Sequence, residues 1–177
     1  PSSATAALSV AGDVRSTGFC FVGFLPARPR ELEQAVRAIA ELSSRFGNGL
    51  IDLSARANVQ LRGVTPESHA PLIDGLRALG LIDASPEAEA RRNITVTPFW
   101  KTSDGTADLA GRLALALAAD DAPHTPGKFG YSVDPGPAPV LGDVSADIRI
   151  ERGTDGGLIV RPDGSDAGAP ATEETAV

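Results

Sequence analysis

The chain has 177 residues, of which 42% are hydrophobic, and its formal net charge is −7. This length accommodates one domain or two small ones with a real apolar core, whereas an acidic chain lacks the basic face that nonspecific nucleic-acid binding requires. No apolar run approaches the roughly 20 residues that span a bilayer, so we expect a cytoplasmic protein without a membrane partner. The sequence contains one cysteine, Cys20, which excludes a disulfide framework or a four-cysteine cluster built from this chain alone.

The first part of the chain has the element order of ferredoxin-like α+β domains. After a flexible arm at 1–12, the patterns predict a strand at 17–25, a helix at 30–46, two strands within 51–62, a helix from Thr65 to Gly80 and a short strand near 81–83. Thr65-Pro66-Glu67 is a typical helix start, because it combines a capping hydroxyl, a proline at the first helical position and an acid in the first turn. We therefore predict a βαββαβ domain over residues 13–85.

The second part of the chain predicts part of a further α/β domain, over residues 86–162. Its predicted elements are a strand at 93–99, a helix at 106–119 and short strands at 129–133, 146–151 and 157–161. From Pro162 onward the small and acidic residues are typical of disorder, so we expect a disordered acidic tail at 163–177. The predicted fold class is α+β, with a ferredoxin-like domain followed by part of a second α/β domain.

Residues 51–62 alternate between apolar and polar side chains, which is the period of a β-strand whose two faces differ. A three-residue hairpin connection would pair Ser54 with Asn58 and keep the polar residues on one face. That face carries Arg56, Asn58, Gln60 and Arg62. Arginine forks and carboxamides suit planar oxyanions, so the face is a candidate anion site. The alternatives are a half-solvated sheet and, for Arg62, an ion pair with Asp52.

Three further segments occur in a characteristic order along the chain. They are GLIDLSARANVQLRGV at 49–64, RRNITVTP at 91–98 and PGKFGYSVD at 126–134, followed by GDVSADIRI at 142–150. Over residues 13–162 the chain resembles the nitrite/sulfite reductase superfamily. The sequences of these segments are most similar to its precorrin-3B synthase branch, the oxygen-dependent monooxygenases of cobalamin biosynthesis. The resemblance implies an oxidoreductase that binds a carboxylated tetrapyrrole.

The resemblance also implies roles for individual residues. Arg56 matches the arginine that reaches into the tetrapyrrole and substrate pocket, and Arg92 matches a second anion-binding arginine. Lys128 matches the first lysine of a Lys-aromatic-Lys pattern in the reductases, but Gly130 stands at the position of the second. Losing this cation argues against the reduction of sulfite or nitrite. The residues expected to bind a carboxylate rim are Arg56, Arg62, Arg92 and Lys128, with neutral hydrogen bonds from Asn58 and Gln60.

The resemblance implies cofactors for which this chain has no ligands. Family enzymes use a 4Fe–4S cluster and iron, with sirohaem in the reductases, and their cluster cysteines lie in a second, pseudo-symmetric half. We therefore expect the N-terminal half of an enzyme, either a fragment or a subunit that a second half or a homo-oligomer partner completes. The competing interpretations are a sirohaem-dependent nitrite or sulfite reductase, a half-length relative without redox chemistry, and a non-catalytic tetrapyrrole-binding homodimer. His69 and His124 have no partnered spacing for a metal.

Overall fold

The computed structural model describes residues 19–23, 29–53, 58–82, 91–101, 103–126 and 129–177, with the backbone alone at 19–23, 29–32 and 58. The chain divides into two compact units, Pro1–Ala90 and Arg91–Val177. Each unit mixes helices with a sheet, which confirms the predicted α+β class. In the described ranges, no helix is long and apolar enough to cross a membrane.

The first unit contains an antiparallel sheet of three described strands together with two helices. Its elements are β1 (Phe19–Gly23), α1 (Pro29–Phe46), β2 (Ile51–Leu53), β3 (Asn58–Arg62) and α2 (Pro66–Ala78), and the strands lie in the order β1-β3-β2. The predicted order of these five elements is confirmed. The short strand predicted near 81–83 is wrong for Leu81 and Ile82, because the Leu81 N–H donates to the Leu76 carbonyl and Leu81 packs into the core. Asp83 lies outside the described residues.

The start of α2 shows how the local sequence sets a helix boundary. The Ser68 N–H donates to Thr65 Oγ1 at 3.3 Å, and the Thr65 N–H donates to Ser68 Oγ at 2.9 Å. This capping box satisfies two of the backbone N–H groups that a helix end leaves without partners. At the other end Gly80 has a φ of 67°, a left-handed conformation that glycine adopts without a steric penalty.

The hairpin of β2 and β3 has the register that a three-residue connection requires. Leu53 lies opposite Val59, which confirms the predicted register for the described pairs. The predicted pair of Ser54 with Asn58 includes a residue outside the described part of the chain. Residues 54–57 lie outside the described part of the chain.

The core of the first unit lies between β3 and the helices. It consists of Ile39, Val59, Leu61, Val64, Leu72, Leu76 and Leu81. The alternation of residues 51–62 would allow the odd-numbered side chains of β2 to pack on the same core, but Ile51 and Leu53 are 37% and 83% exposed. Among the described strands β2 is an outer strand and β3 is the central one, so the buried side chains come from β3.

The second unit contains a mixed sheet of five described strands and the helix α3. Its elements are β4 (Ile94–Val96), α3 (Thr106–Ala118), β5 (Tyr131–Asp134), β6 (Ile148–Arg152), β7 (Leu158–Pro162) and β8 (Ala169–Ala171), and the strands lie in chain order across the sheet. β4, β5 and β6 are parallel, whereas β7 and β8 pair antiparallel. The helix buries the predicted stripe of Leu109, Leu113 and Leu117. The predicted helix and the strands corresponding to β4 to β7 are confirmed.

The acidic C-terminal segment is ordered, so the prediction of a disordered tail at 163–177 is wrong. β8 pairs with β7 and places Ala169 opposite Val160. Beyond the strand, the Arg112 guanidinium donates to the Glu173 carbonyl. Composition predicts disorder because the segment has few large apolar side chains, whereas backbone pairing and this arginine contact hold it in place.

Candidate functional site

The structure describes the six predicted site residues to different extents. Arg56 and Lys128 lie outside the described residues. For Asn58, the first residue of β3, the backbone alone is described. The residues with described side chains are Gln60 and Arg62 in the first unit and Arg92 in the second unit.

The polar face of the hairpin carries a carboxylate as well as a guanidinium. Arg62 donates from Nε to Asp52 Oδ2 at 2.6 Å, and its Nη2 lies 2.6 Å from the same oxygen. Gln60 lies opposite Asp52 in the register of the hairpin. The ion pair considered as the alternative for Arg62 is therefore present, so an anionic ligand that approaches Arg62 would compete with Asp52.

A second set of polar groups lies where the three parallel strands begin. Ile94, Tyr131 and Ile148, the first residues of β4, β5 and β6, are aligned across the sheet. Because the strands are parallel, the residues that precede them meet at the same edge of the sheet. We define the amino edge by four of these residues: Arg92, Asn93, Gly130 and Asp147.

Hydrogen bonds fix the backbone of the amino edge. The Tyr131 N–H donates to the Asn93 carbonyl at 2.8 Å, which joins the starts of β4 and β5. The Gly130 N–H donates to Asp147 Oδ2 at 2.7 Å, and the Asp147 N–H donates to the Gly130 carbonyl at 2.7 Å. The positions of these residues are therefore set by the sheet rather than by a loose loop.

Two consecutive arginines at the start of β4 have different surroundings. Arg91 donates from Nε to the Leu117 carbonyl at 3.1 Å, at the C-terminal end of α3, where a cation is favoured by the helix dipole. Arg92 is only 8% exposed, although the guanidinium group is one of the most costly groups to remove from water. Both arginines have interaction partners, and Arg92 is the buried one of the two.

Little space is left at Gly130, where the reductase pattern has its second lysine. A Cβ atom added at Gly130 would lie 3.0 Å from Asn93 Nδ2 and 3.6 Å from the Ala146 Cα. The Asn93 carboxamide therefore lies next to the place where the Cβ atom of any other residue at position 130 would be. Asn93 and Asp147 are not among the predicted site residues, and the alignment of the strand starts is the signal that identifies them.

Aromatic side chains flank the amino edge. The centroids of the Phe129 and Tyr131 rings lie 5.4 Å apart in an edge-to-face arrangement. In this geometry the two rings attract each other electrostatically. Burial raises the pKa of the Tyr131 hydroxyl, and the negative charge of Asp147 raises it further. Tyr131 therefore stays neutral at physiological pH and can only act there as a hydrogen-bonding group.

The residues of this chain do not fit an iron–sulfur cluster. Four thiolates hold such a cluster, and the sequence supplies Cys20 alone, which lies opposite Leu61 in the β1–β3 register. Among the residues with described structure, no group of three or more His, Cys, Asp and Glu side chains is placed to hold a metal ion.

Comparison with known proteins relates the first unit to one family. Residues 16–79 match the family model of the nitrite/sulfite reductase ferredoxin-like half domain, which confirms the predicted resemblance to that superfamily. Precorrin-3B synthase from Sinorhizobium sp is 36% identical over 121 residues, which cover 66% of this chain and 25% of that protein. The chain thus spans about a quarter of the length of this relative.

Proposed function

We propose that this chain binds a carboxylated tetrapyrrole as part of a precorrin-3B synthase-like oxidoreductase of cobalamin biosynthesis. The observation that carries the proposal is Arg92, a buried guanidinium at the start of a parallel strand. A guanidinium keeps its charge at physiological pH and offers a planar fork of donors to a carboxylate. The similarity to a protein named precorrin-3B synthase supports this class of substrate.

The expected ligand is a ring with acid groups on its rim, so it needs cations and donors spaced around it. The sequence predicts Lys128 as a further cation for such a ligand. In the first unit it predicts Arg56, Asn58, Gln60 and Arg62 as donors to carboxylates. Charge-assisted hydrogen bonds of this kind are roughly twice as strong as neutral ones.

In this proposal the chain binds and orients the ring, and the redox cofactor is held elsewhere. With one cysteine in the sequence, the cluster ligands would belong to a second half of a longer protein or to a partner chain. Oxidoreductase activity would then require both parts. A sirohaem-dependent reductase is less well supported, because Gly130 supplies no second cation for a small oxyanion.

The second candidate is a non-catalytic tetrapyrrole-binding module that acts as a homodimer. The single cysteine favours it, because such a module needs no cluster ligands. Light scattering and visible absorbance separate the candidates: a dimer that binds a tetrapyrrole without any cluster absorbance supports the module. A monomer that gains oxidoreductase activity only with a cysteine-containing partner supports the enzyme.

The proposal is tested by titrating the chain with uroporphyrin, a ring with carboxylates on every pyrrole, and following its fluorescence. We expect Arg56→Ala, Arg92→Ala and Lys128→Ala each to weaken binding about tenfold, the loss of roughly one charge-assisted hydrogen bond. Arg92→Lys keeps the charge but loses the planar fork, so it should restore part of the affinity.

A matched control is Arg37→Ala, which removes the same charge from the exposed face of α1, where Arg37 pairs with Glu33 at 3.0 Å. Its affinity for uroporphyrin should equal that of the unaltered chain. Circular dichroism of each variant reports whether the fold is retained. Unchanged affinity for uroporphyrin in all three alanine variants would contradict the proposal.

A further inference from the structure

We infer that the Asn93 carboxamide is a substrate-binding donor of the amino edge and that Gly130 determines specificity by leaving space for it. This inference rests on the proposed function, since it names a further contact to the same carboxylated ring. Asn93 would donate a neutral hydrogen bond at the place where a lysine at position 130 would supply a positive charge. The site would thereby favour the rim of a large ring over a small, densely charged oxyanion.

The first support is the way Asn93 is held. Its carbonyl accepts from the Tyr131 N–H at 2.8 Å, so its backbone belongs to the ladder between β4 and β5. Among the residues with described structure, no hydrogen bond reaches its half-buried carboxamide. A side chain with two N–H donors on a rigid backbone, neither of which binds a group within the described ranges, is pre-organised to bind a ligand oxygen.

The second support is the geometry of Gly130. A Cβ atom there would lie 3.0 Å from Asn93 Nδ2, which is closer than van der Waals contact allows without movement. The backbone of Gly130 is fully engaged, because its N–H donates to Asp147 Oδ2 at 2.7 Å and its carbonyl accepts from the Asp147 N–H at 2.7 Å. Gly130 therefore contributes space and no hydrogen bond of its own to a ligand.

The third support is the face on which these positions lie. Asn93 and Gly130 are adjacent in the register that aligns Ile94 with Tyr131. Residues paired in this way project their side chains on the same face of the sheet, so the Asn93 side chain and the space at Gly130 lie on one face. A ligand oxygen that binds the Asn93 carboxamide would therefore lie beside Gly130.

The experiment measures uroporphyrin affinity in the full chain for Asn93→Ala, Asn93→Asp and Gly130→Ala. We expect Asn93→Ala to weaken binding about fivefold, and Asn93→Asp at least tenfold because a carboxylate repels the ligand. Gly130→Ala should weaken binding by a similar factor to Asn93→Ala. The matched control is Gly142→Ala, because a Cβ atom there meets nothing within 4 Å, and its affinity should not change.

A double-mutant cycle separates a role in positioning Asn93 from a general structural effect. If Gly130 acts through Asn93, Gly130→Ala should have no further effect in the Asn93→Ala background. Equal effects of Gly130→Ala in both backgrounds would overturn the inference. Asn93→Ala with unaltered affinity would also overturn it.

The salt dependence of uroporphyrin binding supplies a second readout. Binding by the unaltered chain distinguishes a failure of the Asn93 inference from a failure of the proposed function. Removing the neutral Asn93 side chain should leave the salt dependence of binding unchanged, whereas Lys128→Ala should reduce it. A reduced salt dependence in Asn93→Ala would contradict a neutral donor. If the unaltered chain binds uroporphyrin and Lys128→Ala weakens it, the proposed function stands even where the Asn93 inference fails. If the unaltered chain does not bind, both fail.

Discussion

Arg62 and Asp52 form an ion pair across the β2–β3 hairpin, with Arg62 Nε 2.6 Å from Asp52 Oδ2. The two side chains are 37% and 51% exposed, so water screens their attraction. Such surface pairs contribute about 0–1 kcal/mol to stability. The pair therefore affects the charge presented to a ligand more than it affects the fold.

The first prediction concerns the sign of the change in ligand binding when either partner is replaced. Arg62→Ala should weaken uroporphyrin binding and Asp52→Asn should strengthen it, because Asp52 competes with the ligand for the same guanidinium. Neither variant should change the free energy of unfolding by more than about 1 kcal/mol. Fluorescence titration and urea unfolding measure the two quantities. Equal affinities in both variants would show that Arg62 acts only within the hairpin.

The second prediction concerns Arg149, a buried arginine that joins three parts of the second unit. It is 3% exposed, and it donates to Asp163 Oδ1 at 2.5 Å, to the Leu141 carbonyl at 2.9 Å and to the Val144 carbonyl at 2.7 Å. Arg149→Ala leaves these acceptors without their donor, so we expect a loss of about 3 kcal/mol in the free energy of unfolding. Urea denaturation measures the loss.

The control for this variant is Arg152→Ala in the same strand. Arg152 is exposed and donates from Nη1 to the Gly156 carbonyl at 2.8 Å, so the variant removes the same charge and one surface hydrogen bond. Its effect should stay below about 1 kcal/mol, as for other exposed positions. A similar loss in both variants would mean that burial of Arg149 is not the source of its stabilising effect.

The third prediction is a pH dependence at Asp163. The hydrogen bond from Arg149 lowers the pKa of the Asp163 carboxyl below its ordinary value of 3.8. The carboxylate is thus favoured in the folded state, and its stabilising contribution is complete above the ordinary pKa and lost as the pH falls through the lowered one. Asp163→Asn should be less stable than the unaltered chain near neutral pH, and the difference should shrink in acid. Urea unfolding across this pH range measures it; a constant difference would contradict the linkage.

Local spacing predicts much of this fold. The capping residues Thr65 and Ser68 lie within one helical turn, and the register of the β2–β3 hairpin depends on a connection of three residues. Helix starts and tight hairpins can be read from sequence because few alternatives satisfy the same backbone groups. The elements that depend on such local patterns, from β1 to α2, have the predicted order.

The features that the sequence did not predict depend on contacts between distant segments. Asn93 lies beside Gly130 only because β4 and β5 pair in parallel, a pairing that no local pattern specifies. The order of the C-terminal segment likewise depends on β7 and on the contact between Arg112 and Glu173. Composition alone therefore predicted disorder in a segment that a neighbouring strand holds.

The fourth prediction concerns Asp134, a buried carboxylate at the end of β5. Its Oδ2 accepts from the Val140 N–H at 2.6 Å and from the Leu141 N–H at 2.9 Å, whereas its Oδ1 is buried without a hydrogen-bond partner in the described part of the chain. An asparagine oxygen can accept both hydrogen bonds without burying a charge. We expect Asp134→Asn to leave the free energy of unfolding unchanged or raise it by about 1 kcal/mol.

The comparison for this variant is Asp134→Ala, which removes the acceptor. The part-buried N–H of Val140 and the buried N–H of Leu141 then lose their partner, at a cost of about 2–3 kcal/mol. Urea unfolding of both variants tests the assignment. Equal losses for asparagine and alanine would indicate that the charge of Asp134 is itself required.

The fifth prediction uses two glycines of opposite character at α3. Gly105, at the start of the helix, has a φ of 76°, and a Cβ atom there would lie 2.9 Å from Glu173 Oε1. Gly111, inside the helix, meets nothing within 4 Å of an added Cβ. Gly105→Ala should lower the free energy of unfolding by about 1–2 kcal/mol, because the left-handed conformation is strained for alanine. Gly111→Ala should raise it by about 0.5–1 kcal/mol through helix propensity.

The same pair of variants also tests how the C-terminal segment is held. The Glu173 carboxylate lies beside the N-terminus of α3, where the helix dipole favours a negative charge. Gly105→Ala displaces this carboxylate, so amide hydrogen exchange should become faster in β8 as well as at the helix start. Gly111→Ala leaves the contact intact and should not change exchange in β8. Faster exchange in β8 for both variants would mean that the segment responds to the helix as a whole, and not to the contact at Glu173.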